Sequence, residues 1–207
     1  MVPGPTSVPE QVRKAYLYNF GSPDIESEFL ELYNQTEKNL QKIFNTHNPV
    51  VIMSGEGMLA LWSALKSALL PGDRVLSLAT GMFGYGIADM AKAIGAQVKT
   101  VGFAYNETLH DWEMIEKVIN EFQPKMITVV HCETPSGTLN PLEKVSELKT
   151  KHEVPLLYVD MVASLGGVAV NVDALAADFA LGGSQKVFSS PADTSFLSVS
   201  ERAWREI

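Results

Sequence analysis

Along the chain, short apolar runs alternate with longer segments whose apolar residues recur at helical spacing. That alternation predicts a parallel sheet covered by helices on both faces. Residues 50–53, 74–78, 98–101, 126–130 and 155–159 read as strands, and residues 57–70, about 85–94, 111–122 and 141–152 as the helices between them. Pro71, Gly72 and Asp73 enforce a turn after the first of these helices, and Gly95 stands at a natural cap position. Upstream, proline-rich residues 2–9 predict an extended arm, and residues 25–46 place Phe29, Leu32, Tyr33, Leu40, Ile43 and Phe44 at helical spacing. Downstream, the apolar run after Asp178 predicts a strand, residues 195–200 another, and residues 201–207 the opening of a helix. The expected fold class is α/β: a three-layer sandwich round a mostly parallel sheet.

In such sheets ligands sit beyond the carboxyl ends of the strands. The loops after Met53, Leu78, Val130, Val159 and Leu181 should therefore converge, and they hold most of the chemically capable residues. One strand run delivers Lys186 into a turn of Gly182, Gly183, Ser184 and Gln185, and another ends on Asp160. Taken singly, each reads as a solvated strand-end charge. Together they are the minimal equipment for pyridoxal phosphate, whose carbonyl a lysine amine holds as a Schiff base while a carboxylate keeps the pyridine nitrogen protonated.

The loop Ser54, Gly55, Glu56, Gly57, Met58 opens directly into a predicted helix. Free N–H groups at a helix start bind anions, and glycine permits close approach of a phosphate. A tight structural turn is the plainer reading, because the third glycine of a dinucleotide fingerprint and the Gly-Lys-Ser/Thr of a nucleotide loop are both missing. Phe83 and Tyr85 follow the second strand, where a ring could stack on a planar cofactor or pack into the core. His131, Cys132, Glu133 and Thr134 follow the fourth. His131 with Glu133 raises an acid–base or metal reading, but His47, His110 and His152 fall outside these loops, which leaves too few ligands, so no metal is expected.

Composition narrows the class. The 207 residues suffice for a full core, and a net charge of −8 without a basic patch argues against nucleic-acid binding. The single cysteine, Cys132, excludes an internal disulfide and suits a reducing compartment. No apolar run approaches the ~20 residues of a membrane span, and no basic segment followed by an apolar one opens the chain. The expectation is a cytoplasmic protein with no internal repeat and no interdomain linker.

These residues resemble the class V aminotransferases of the fold-type-I pyridoxal phosphate enzymes, especially the alanine–glyoxylate and serine–pyruvate branch. The resemblance runs the length of the chain and is carried by Pro3-Gly-Pro5, Ser54-Gly-Glu-Gly57, Gly81-Met-Phe-Gly84, the segment 131–137, the segment 159–167 and Gly183-Ser-Gln-Lys186, in the family's order. It implies that Lys186 holds the cofactor and shuttles a proton, and that Asp160 pairs with the pyridine nitrogen. It further implies that Phe83 stacks on the ring and that Thr134 bonds near the phenolic oxygen. Backbone N–H groups of Glu56, Gly57 and Met58, with the Gln185 side chain, would cradle the phosphate. Glu56 stands where a small hydroxyl residue is usual, so its carboxylate would have to point away or meet a cation, and only its N–H is expected to serve. Ser189, Ser190, Pro191, Ala192 and Asp193 replace a more usual Pro-Pro-Gly turn.

The family's chains continue well beyond the lysine, so residues 1–20 are expected to form an arm and residues 21–207 an incomplete large domain. The small C-terminal domain and the arginine that clamps a substrate carboxylate would lie outside this sequence. The implied activity is transfer of an amino group from alanine or serine to glyoxylate or pyruvate, by a protein that is a homodimer at full length. Two other readings stand beside it: a lyase or desulfurase relative, for which Cys132 is wrongly placed, and a fold that binds cofactor or a partner chain without turnover.

Overall fold

The computed structural model describes residues 4–19, 21–22 and 24–207, so residues 2 and 3 of the expected arm lie outside the described residues. Residues 4–9 carry no regular element and lead into a short helix, α1 (Glu10–Ala15), followed by α2 (Ser27–Phe44). The sequence reading did not include α1, although Glu10 in its first turn and Arg13 and Lys14 in its last complement the helix dipole. The alternation then proceeds through β1 (Val50–Ser54), α3 (Gly57–Ala68), β2 (Arg74–Ala79), α4 (Met82–Ile94) and β3 (Gln97–Gly102). It continues with α5 (Trp112–Phe122), β4 (Met126–Val130), α6 (Leu142–Lys151), β5 (Leu156–Asp160), β6 (Phe179–Gly183), β7 (Thr194–Val199) and α7 (Glu201–Glu206).

The seven strands form one sheet in the order β1-β7-β6-β5-β4-β2-β3. β2 to β6 pair in parallel, whereas β7 runs antiparallel to both of its neighbours, β1 and β6. The sheet is thus mostly parallel, with one reversed strand that the sequence does not distinguish from the others. Alternation along each strand divides the core into two layers. Leu76, Leu78, Ile127, Val129, Leu157 and Val159 face one way with Phe44, Ile115 and Val145, from α2, α5 and α6. Val75, Met126, Val130, Leu156, Tyr158, Phe179 and Leu181 face the other, against Leu61 and Leu65 of α3 and Ile87 of α4. The β4 and β5 strands are buried along their whole length, as crossover helices on both faces require.

A buried ion pair fastens the sheet near its end. Lys149 of α6 and Asp178, just before β6, meet at 2.8 Å, both almost wholly buried. The remaining capacity of the pair is satisfied: Asp178 accepts the Leu157 N–H and the Ser200 hydroxyl, and Lys149 also donates to the Ala176 carbonyl. Ser200 in turn accepts the Ala203 N–H and so caps α7. Among the described residues, no helix is long and apolar enough to cross a membrane.

Candidate functional site

At the carboxyl edge of the sheet the loops after β1, β2, β4, β5 and β6 close round a cavity of about 330 Å³. Glu56, Gly57, Met58, Phe83, Thr134, Asp160, Gln185 and Lys186 all line it, whereas Tyr85, His131, Cys132 and Glu133, also considered from the sequence, do not. Pro5, Leu61, Val162 and Ala192 complete the wall. Val162 was within reach of the sequence, being two residues past a strand-end carboxylate. Nothing in the sequence says where the proline-rich arm docks. A larger depression of about 790 Å³ lies at the opposite edge, among Asp73, Arg74, Lys125 and His152, away from the lysine.

Asp160 closes β5 with its carboxylate buried, where its Oδ1 accepts the Val162 N–H at 2.9 Å. Burial pushes its pKa up to about 7, and the charge of Glu133 adds to this; the Val162 N–H and Lys186 act the other way. Lys186 leaves β6 on the adjacent strand, and burial holds its amine below the ordinary lysine range despite the nearby Asp160, Glu56 and Cys132. Cys132 is half-buried and its thiol is pushed up by burial and by Glu133 and Asp160. That is the reverse of an activated thiolate.

The first turn of α3 presents its unpaired N–H groups at the other end of the cavity. Glu56 is the N-cap residue, extended at φ −71° and ψ 174°, yet its side chain makes no capping bond. The Glu56 carboxylate neither turns away nor meets a cation: it accepts the Gln185 amide, Nε2 to Oε2, at 2.9 Å. A buried amide donor with no other acceptor draws the carboxylate inward. The Gln185 Oε1 is buried without a partner.

Glu133 has a task that the sequence did not reveal. Fully buried, it accepts the N–H groups of Phe83 at 3.1 Å and Gly84 at 2.8 Å, and so supplies the N-terminal charge of α4. That support starts α4 at Met82 rather than near residue 85, with Gly81 as the cap. A Cβ on Gly81 would lie 2.8 Å from the Glu133 carboxyl carbon, which explains the glycine. His131 pairs through Nδ1 with the Ser164 hydroxyl at 2.9 Å, and burial lowers its pKa. The acid–base pairing of His131 with Glu133 is therefore replaced by two separate structural contacts.

The segment after the lysine follows a defined path. Ser189 adopts the left-handed region at φ 49°, and its N–H donates to the Lys186 carbonyl at 3.0 Å. The Ser184 hydroxyl donates to the Pro191 carbonyl, and the Gly55 N–H donates to the Asp193 carbonyl at 2.6 Å. The lysine loop and the glycine loop are thereby tied together.

The lining residues fit pyridoxal phosphate on structural grounds. An amine and a buried carboxylate sit on adjacent strand ends, a half-buried aromatic ring faces the same space, and a helix N-terminus closes the far end. The fit is close-walled at that end: a Cβ on Gly57 would lie 2.9 Å from Val162 Cγ1, and one on Gly183 would lie 2.6 Å from Gln185 Oε1.

Comparison with known proteins agrees with this geometry. The family model for class-V aminotransferases matches residues 3–207. An uncharacterised aminotransferase of Methanocaldococcus jannaschii is 33% identical over 100% of this chain and 53% of its own length. The alanine–glyoxylate aminotransferase of Callithrix jacchus is 35% identical over 99% of this chain and 49% of its own. In three dimensions, the crystal structure of an alanine–glyoxylate aminotransferase from Nostoc sp. superposes with a TM-score of 0.94 at 32% identity, covering 100% of this chain and 54% of that one. The chain spans about half the length of the curated relatives it matches.

Proposed function

The chain belongs to the class-V aminotransferase family, and we propose that it is the cofactor-holding part of a pyridoxal phosphate-dependent aminotransferase. The proposed reaction moves the amino group of a small amino acid, alanine or serine, to glyoxylate or pyruvate. The observation that carries it is the meeting of Lys186 and Asp160 on neighbouring strand ends over one cavity that the first turn of α3 closes. The names of two of the similar proteins, alanine–glyoxylate aminotransferases, support the choice of substrates.

When bound, pyridoxal phosphate supplies an electron sink for the charge that develops at a substrate carbon. The protein's part is binding, orientation and proton handling. Lys186, its amine held below the ordinary range by burial, would hold the cofactor covalently and then move a proton. Asp160 offers a buried carboxylate to a ring nitrogen; a cation placed there stabilises its charged form against the burial that opposes it. Phe83 lends a ring face and Thr134 a hydroxyl, while the N–H groups of Glu56, Gly57 and Met58 face an anion. Exposed Met82, Tyr85 and Tyr105, clustered beside Pro135, support a dimer in the whole protein.

A second reading is cofactor binding without turnover. A single titration separates the two. Protein mixed with pyridoxal phosphate should gain a visible absorbance band, and borohydride should fix the cofactor's mass on Lys186; Lys186→Ala should do neither. No band in the unaltered chain would sink the cofactor reading. Alanine should then bleach the band, whereas a band unchanged by alanine, serine and glycine leaves the binding-only reading.

A further inference from the structure

An anion already stands where the proposed cofactor's phosphate would rest. Glu56 is the N-cap residue of α3, a helix of 12 residues, and its carboxylate leaves the helix's own N–H groups uncapped. It accepts instead from Gln185 Nε2 at 2.9 Å. Gln185 is 6% exposed. Its amide is wedged between two glycines: a Cβ on Gly183 would lie 2.6 Å from Oε1, and one on Gly57 would lie 3.5 Å from Nε2. Its Oε1 has no partner at all. The helix start thus leaves its N–H groups free, and the Gln185 N–H is turned to a carboxylate that the chain supplies from its own sequence.

We propose that the Glu56 carboxylate is an internal anion at the phosphate end of the site, which a phosphorylated cofactor must displace from Gln185 in order to seat. The inference rests on the reading of the cavity as a pyridoxal phosphate site. Two anions cannot share one amide donor and one helix terminus without repulsion. Glu56 therefore weakens the advantage of a phosphorylated cofactor over its unphosphorylated form. It acts as a specificity-determining residue, setting how much the phosphate contributes to binding. A hydroxyl or amide side chain at this position would leave the N–H groups of Gly57 and Met58 and the Gln185 amide to the phosphate alone.

The ratio of two affinities isolates the effect. Pyridoxal phosphate and pyridoxal are each titrated into the unaltered chain, Glu56→Gln and Glu56→Ser, with the visible band of the lysine-held cofactor as readout. Any influence of Glu56 on the Lys186 amine enters both affinities equally and cancels. The expected result is a rise of about tenfold in the preference for pyridoxal phosphate over pyridoxal in both variants. Inorganic phosphate should also compete with pyridoxal phosphate more strongly in the variants than in the unaltered chain. The same preference in all three proteins would overturn the inference and leave the cofactor reading intact, as would a fall in Glu56→Gln. Absence of a band with either compound in all three would overturn the cofactor reading and this inference with it.

Discussion

The Thr6 hydroxyl donates to the carbonyl oxygen of Lys186 at 2.8 Å, which ties the arm to the residue round which the site is built. The Thr6 N–H donates to the Gln185 carbonyl at 2.9 Å, so the contact is held twice. Thr6→Val keeps the shape and removes one donor. The expected loss is about 1 kcal/mol of stability, measured by urea denaturation. Gly4 lies so close that a Cβ would sit 2.8 Å from Lys186 Cδ, at a φ of +139° that side chains avoid. Gly4→Ala should slow attachment of pyridoxal phosphate, followed by stopped-flow absorbance.

Asp160 gives the cofactor-free protein a signature in pH. Its folded pKa, about 7, is raised above the ordinary carboxylate range. The folded state therefore holds a proton that the unfolded state has released, and this stability, full below pH ~4, is lost as pH rises through ~7. The loss should be of the order of a few kcal/mol. Asp160→Asn should abolish this fall, so that the variant matches or exceeds the unaltered chain at pH 8 and gains nothing at pH 4. Urea denaturation at several pH values reads it directly. A parallel fall in both proteins would locate the titration elsewhere.

Glu133→Gln should cost roughly 1–2 kcal/mol, since a charged acceptor at the start of α4 becomes a neutral one. The helix should fray from Met82 toward Tyr85, raising amide hydrogen exchange at Phe83 and Gly84, the two groups that the carboxylate now holds.

Breaking the Lys149–Asp178 pair should be costlier. Lys149→Met strands a buried carboxylate and should remove about 3–5 kcal/mol. Adding Asp178→Asn should restore part of that loss, because the amide still accepts from the Leu157 N–H while the charge is gone.

The strands were legible because their apolar runs are short, and their burial on both faces leaves little room for another reading. Lys186 and Asp160 were legible for a different reason: each stands where an apolar run stops, and a parallel sheet brings such ends together. Glu133 was not, because its partners, Phe83 and Gly84, are brought to it by β2 and β4 being neighbours, and periodicity carries no such information. The inward turn of Glu56 depends on Gln185, which lies at the far end of the chain and reaches it only when β7 joins β6 to β1. The reversed direction of β7 is equally silent in its apolar pattern, since parallel and antiparallel strands buried on both faces look alike.

That reversed strand also orders events in time. Among the described residues β1 pairs with none of the strands made soon after it but with β7, with Ser54 set against Thr194. During synthesis the glycine loop therefore emerges early and remains without its place in the sheet until nearly the whole described chain has been made. The central strands can pair as they appear, whereas the cavity comes into being only with the last strand.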